Sequence, residues 1–96
     1  MQNVSKTTTI INKSGLHAHP ASDFVECSSK FSSKIFISGP SGEEVNAKSI
    51  VMLLSLGLSK GESIAIWAKG EDEVNAVNTL TSLLNQHLAK VKLRFL

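Results

Sequence analysis

The sequence predicts an α+β domain, an open-faced sandwich in which a four-stranded antiparallel sheet carries three helices on one face. Three observations lead there. Short β-branched or alternating segments take turns with segments whose apolar residues recur at helical spacing. Breaks rich in Gly, Pro and Ser separate them. The resulting order, strand, helix, strand, strand, helix, strand, helix (βαββαβα), is met by one sheet whose apolar face three helices cover. A chain of 96 residues suffices for one such core and not for two.

Each element has its own signal. Thr7 to Ile11 is β-branched throughout and reads as the first strand, broken by Lys13-Ser14-Gly15. Ala18 to Phe31 has helical spacing, with Ala21, Phe24, Val25, Ser28 and Phe31 on one face. Proline is tolerated only in the first turn of a helix, so Pro20 requires this helix to begin close to His17. Cys27, on the same helix, is expected as a small buried hydrophobe. Lys34 to Ser38 is the second strand, Gly39-Pro40-Ser41-Gly42 a turn, and Glu43 to Asn46 a short third strand. Ser49 to Leu56 is a short helix with Ser49 as N-cap and Gly57 as its stop, its packing supplied mostly by Met52, Leu53 and Leu56. Glu62 to Lys69 alternates Ile64, Ile66 and Ala68 with Ala65 and Trp67. Glu71-Asp72-Glu73 opens the last helix, where acidic side chains favour the positive end of the dipole. Ala76, Val77, Leu80, Leu83, Leu84 and Leu88 form its buried stripe. The domain is expected over residues 1–88, followed by a basic and apolar tail over 89–96.

Composition excludes several classes of function. The formal charge of +2, without a basic run interleaved with aromatics before the last residues, argues against nucleic acid as a partner. The longest apolar stretch, Ile50 to Leu58, is interrupted and far short of a membrane span, so direct membrane insertion is not expected. The first nine residues lack an apolar signal core, and the single Cys27 fits a reducing compartment. The expected location is the cytoplasm.

The segment Ser14-Gly15-Leu16-His17-Ala18-His19-Pro20-Ala21-Ser22 carries the chemistry. A glycine turn leads into an imidazole standing where a helix begins. The first backbone N–H groups there lack intrahelical acceptors, and the dipole favours negative charge. A phosphoryl group on His17 would meet the N–H groups of Ala18 and His19 without help from a metal or an organic cofactor. A neutral imidazole is nucleophilic near pH 7, which suits reversible transfer. His17 and His19 alone fall short of the ligand count of a metal site.

Gly15-Leu16-His17-x-x-Pro20-Ala21 resembles the active-site signature of the HPr family, the histidine-containing phosphocarriers of the phosphoenolpyruvate:sugar phosphotransferase system. Val45-Asn46-Ala47-Lys48-Ser49-Ile50, followed by Ser55-Leu56-Gly57-Leu58, resembles the family's serine-bearing helix. The likeness covers roughly residues 5 to 88. It implies the HPr-like form of the open-faced sandwich. It also implies that His17 accepts a phosphoryl group on Nδ1 from phospho-enzyme I and passes it to sugar-specific enzyme IIA domains. Such a carrier is regenerated at each transfer and has no turnover of its own. Ser49 aligns with the serine that HPr kinase/phosphorylase modifies in many Gram-positive bacteria. The alternative function is therefore a regulatory module that works through phosphorylated Ser49 and a transcriptional regulator in carbon catabolite control.

One position departs from the family. His19 stands where an arginine is usual. Arginine is always charged and grips phosphate with two parallel donors, whereas histidine is mostly neutral at pH 7. The phospho-form is expected to be held less firmly, or in a more pH-dependent way. Ile50, Val51 and Leu54 exceed what a short surface helix needs and are expected to form a partner-docking patch beside His17. In the tail, Lys90 to Leu96 alternates basic and apolar residues. It reads as a frayed end, an added edge strand, or a cover for Phe36 and Trp67 on the helix-free face of the sheet.

Overall fold

The computed structural model describes residues 4–11, 15–16 and 18–85, the side chains of Ala18 and His19 apart. Its elements are β1 (Val4–Thr9), α1 (Ala18–Ser29), β2 (Lys34–Ser38), β3 (Glu44–Asn46), α2 (Ile50–Ser55), β4 (Ser63–Lys69) and α3 (Glu73–Asn85). The sheet order is β1-β4-β2-β3 with every pair antiparallel. This is the expected βαββαβα arrangement.

Alternation along the strands builds the core. Ile35 and Ile37 of β2, Val45 of β3, and Ile64, Ile66 and Ala68 of β4 are buried on one face. They form one cluster with Phe24 of α1, Leu53 of α2 and Ala76, Val77, Leu80 and Leu84 of α3. Because successive strand side chains point to opposite faces, the intervening residues remain half-buried or exposed on the face without helices.

Several boundaries differ from the sequence reading, each for a physical reason. The first strand is β1 at Val4–Thr9 and not Thr7–Ile11, because its limits are set by the ladder to β4, from Val4 opposite Ala68 to Thr9 opposite Ser63. Beyond it Ile10 is still tied to the loop before β4, its N–H donating to the Glu62 carbonyl at 2.9 Å. Ile10 is buried and Ile11 exposed. Helix α1 stops at Ser29 and not at Phe31. Lys30 and Phe31 donate to Cys27 and Ser28, three residues back, in a tightened final turn. The Lys48 ammonium then takes the Phe31 carbonyl at 2.7 Å. Cys27 is half-buried against the core and not fully inside it.

In α2 only Leu53 is fully buried, Leu56 is half-buried just beyond the helix, and Met52 is exposed. A helix of six residues offers few inward positions, and Met52 lies about 100° around the axis from Leu53. Of the stripe expected on the last helix, Ala76, Val77, Leu80 and Leu84 are buried and Leu83 half-buried. Leu88 and the tail lie outside the described residues.

Helix α3 begins at Glu73 and not at Glu71, because the two preceding residues have other work. The Asp72 carbonyl receives the first helical hydrogen bond, from Ala76 N–H at 2.8 Å. The Asp72 carboxylate accepts from the Ser33 hydroxyl and from the backbone N–H groups of Ser32 and Ser33, each at 3.0 Å. It thus ties the α1–β2 loop to the start of α3. The Ser33 hydroxyl bond and the Ser32 backbone bond hold its pKa at about 2, below the ordinary 3.8.

On the helix-free face Phe36 and Trp67 sit opposite each other in register. Their rings stack with centroids 4.6 Å apart and planes 21° from parallel. The Trp67 indole N–H donates to the Glu44 carboxylate. Both residues are half-buried, so the two rings and Glu44 supply part of the cover that the sequence reading sought from the tail.

Candidate functional site

The beginning of α1 is placed by a close approach between two distant segments. Gly15 has φ +72°, a left-handed backbone that glycine adopts without penalty. A Cβ at Gly15 would run into the Leu58 carbonyl oxygen and come within 3.0 Å of Ser59 Cα. The next N–H, of Leu16, donates to that same Leu58 carbonyl at 3.0 Å. Leu16 and Leu58 are both buried side chains. The chain entering α1 is thereby riveted to the segment leaving α2.

Helix α1 then starts at Ala18, with Pro20 its third residue. The N–H that proline lacks would have no acceptor within the first turn in any case. Ala21 and Phe24, both fully buried, anchor the inward face. The first turn carries no acidic side chain, so no carboxylate of its own occupies the positive end of the dipole. Ala18 and His19 are the first two helical residues, and in any α-helix the N–H groups at these positions lack intrahelical acceptors. His17, the residue before the helix, lies outside the described residues, as do the side chains of Ala18 and His19.

Ser49 is the N-cap of α2, as its residue type and position suggest. Its backbone is extended (φ −113°, ψ 113°), and its hydroxyl oxygen accepts from Met52 N–H at 3.3 Å. Its carbonyl accepts from Leu53 N–H at 2.9 Å. At the other end, Leu56 and Gly57 donate back to Leu53 and Leu54, and Gly57 follows at φ +58°.

Between these ends α2 presents an apolar surface. Ile50, Val51 and Leu54 are exposed, Val51 at 73%. Met52, at 45%, joins them. The run itself shows that more of α2 must be exposed, since five apolar residues on six helical positions cannot all face inward, but it does not single out Met52. Helix α2 packs against α1, and the Leu16–Leu58 hydrogen bond joins the C-terminal side of α2 to the start of α1. Apolar surface and anion-favouring helix start are therefore neighbours. Ser49 stands at the far end of α2, about 9 Å of helix away. Among the described residues no three His, Cys, Asp or Glu side chains gather as a metal-binding group, and no helix is long and apolar enough to cross a membrane.

Comparison with known proteins agrees with this geometry. The family described as the PTS HPr component phosphorylation site matches residues 4–86. The phosphocarrier protein HPr of Mycoplasma pneumoniae is 42% identical over 73 residues, which is 76% of this chain and 83% of that protein. The crystal structure of HPr-C-His from Thermoanaerobacter tengcongensis superposes with a TM-score of 0.81 at 44% identity, covering 90% of this chain and 93% of that one. The phosphocarrier protein HPr of Bacillus anthracis does so with a TM-score of 0.82 at 36% identity, covering 85% and 96%. With the same fold and a family match over residues 4–86, this chain belongs to the HPr family of phosphocarrier proteins of the phosphotransferase system.

Proposed function

We propose that this chain accepts a phosphoryl group on Nδ1 of His17 from phospho-enzyme I and delivers it to enzyme IIA domains. The bond from phosphorus to the donor breaks as the bond from phosphorus to Nδ1 forms, and the reverse occurs at discharge. The observation that carries this reading is the entry into α1: Gly15 and Leu16 are fastened to Leu58, and the helix opens on two N–H groups without intrahelical acceptors directly after His17. Those N–H groups, of Ala18 and His19, are the proposed donors to the phosphoryl oxygens, aided by the helix dipole. His19 is proposed to assist when its ring is protonated beside the phosphate. The carrier needs no cofactor for this chemistry.

The exposed side chains of Ile50, Val51 and Leu54 are the proposed docking surface for both partners, with Met52 added to it. Partners that must reach an imidazole at the start of α1 would cover apolar surface beside it, where burial contributes roughly 25 cal/mol per Å².

A second role is favoured by Ser49. A phosphoryl group on its hydroxyl would bring about −1.5 to −2 of charge to the start of α2. That is tolerable at a helix N-terminus, yet it places the charge beside Ile50 and Val51. Docking of phosphotransferase partners would weaken, and an HPr kinase/phosphorylase and a transcriptional regulator become candidate partners.

The test is a two-step transfer. With phosphoenolpyruvate and enzyme I the chain should acquire an acid-labile, base-stable phosphate, and addition of enzyme IIA should remove it. A chain that acquires none, or acquires one that IIA does not discharge, refutes the carrier role. If His19→Arg leaves the transfer rate and its pH profile unchanged, His19 has no part in holding the phosphate.

A further inference from the structure

The face of the sheet without helices holds a cavity of about 270 Å³ that the proposed phosphotransfer does not use. It lies where the α1–β2 loop enters β2, beside the C-terminal end of β3, with Ser32, Lys34, Phe36, Asn46 and Lys48 in its lining and no carboxylate among its lining residues.

Its charge is unusual for a sheet surface. Lys34 stands directly opposite Lys69 in the β2–β4 register. Like charges so placed destabilise a strand pair, and among the described residues neither ammonium has a hydrogen-bond or ion-pair partner. A third ammonium, of Lys48, is held at 2.7 Å from the Phe31 carbonyl and keeps donors beyond that one bond. Two of the acids near these elements are already engaged. Asp72 accepts from the back of the Ser32–Ser33 loop, and Glu44 accepts from the Trp67 indole. The walls are also fixed. Asp72 pins the loop, the Asn46 side-chain oxygen accepts from Lys48 N–H at 2.9 Å, and stacking on Trp67 holds the Phe36 ring.

We propose that this cavity binds a small phosphorylated metabolite. The phosphate sits between Lys34 and Lys48 with the Ser32 hydroxyl and Asn46 amide as further donors, the carbon body lies along Phe36, and Lys69, outside the lining but opposite Lys34, adds positive charge from the neighbouring strand. The volume is just below the usual range for ligand pockets, so it suits a molecule the size of a sugar phosphate and not a dinucleotide. Binding here would give the carrier a sensor of phosphorylated metabolites on the opposite side of the sheet from the helices.

The experiment is an amide chemical-shift titration of the full chain with glucose 6-phosphate, with inorganic phosphate and glucose as parallel arms, at constant ionic strength. Fluorescence of Trp67, the single tryptophan, follows the same titrations. The expected result is a saturable shift of the Ser32, Lys34, Phe36, Asn46 and Lys48 amides with glucose 6-phosphate, weaker with inorganic phosphate and absent with glucose. Lys34→Gln/Lys69→Gln should raise Kd by about tenfold or more, the usual effect of losing a charged donor. Both lysines are exposed, and removing the like-charge pair should leave the domain at least as stable. No saturable shift, shifts confined to the start of α1, equal binding of inorganic phosphate, or unchanged affinity in the double variant would each overturn the proposal.

Discussion

Replacing Gly15 by alanine tests how the start of α1 is held. Two costs add at this position. An L-residue at φ +72° loses about 1 kcal/mol relative to glycine. The new Cβ also meets the Leu58 carbonyl oxygen, a backbone atom that cannot swing aside. Either Gly15 or the segment after α2 must shift, and the 3.0 Å bond from Leu16 to that carbonyl is lost or stretched. A buried backbone donor without its partner costs about 1–3 kcal/mol. The expected total is roughly 3 kcal/mol, or about 12–24 °C in Tm for a domain of this size. Gly42 supplies the internal control. It also has positive φ, at +88°, but a Cβ there has nothing within 4 Å. Gly42→Ala should therefore show only the conformational part, about 1 kcal/mol. Urea unfolding of both variants reads the difference directly, and phosphate acceptance should fall in Gly15→Ala alone. Equal destabilisation of the two would refute the rivet between Gly15–Leu16 and Leu58.

Other substitutions separate packing from surface. Leu53→Ala removes the one fully buried side chain of α2 and should cost about 2–5 kcal/mol in denaturant unfolding. Val51→Ala, at a position 73% exposed, should change stability by no more than about 0.5 kcal/mol while weakening phosphotransfer from enzyme I. Ser49→Ala deletes an N-cap and should cost about 1 kcal/mol, measured against Ser49→Asn, which keeps an acceptor at the cap and should lose less. Asp72 has a folded pKa of about 2 against an ordinary 3.8. Its contribution is therefore present above pH 4 and is lost as pH falls toward 2. Acid unfolding should show the wild type more stable than Asp72→Asn near neutrality, with the gap closing through that window; a gap independent of pH would contradict the assignment.

What could be read in the residues depended on how local the determining contact is. The alternation of Ile64, Ile66 and Ala68 was legible because β4 is flanked by strands on both sides and covered on one face, so burial imposes period two. The edge strand β1 misled: its β-branched residues point to Thr7–Ile11, while pairing with β4 draws in Ser5 and Lys6. Met52 misled because a short apolar run does not reveal which residues face inward. The role of Asp72 was hidden, since its acceptor bonds come from Ser32 and Ser33, 40 and 39 residues earlier. Acidic residues at a helix start look like dipole partners whatever else they bind. At the site, the Gly-Leu-His segment and the capping serine were legible as types at fixed spacing. The Leu58 carbonyl that forces glycine at position 15 was not, because it is a backbone atom brought in by the turn after α2. Phe36 and Trp67 were correctly assigned to one face, but their mutual stacking depends on register, which no single strand reveals.

The most direct measurement is to map the phosphate. After incubation with phosphoenolpyruvate and enzyme I, fragmentation mass spectrometry under mildly alkaline conditions should locate a single phosphoryl group on His17. His17→Ala should take up none, and His19→Ala should still be labelled. Label that persists in His17→Ala, or that resides on His19 or Ser49 under these conditions, would contradict the assignment of His17 as the acceptor.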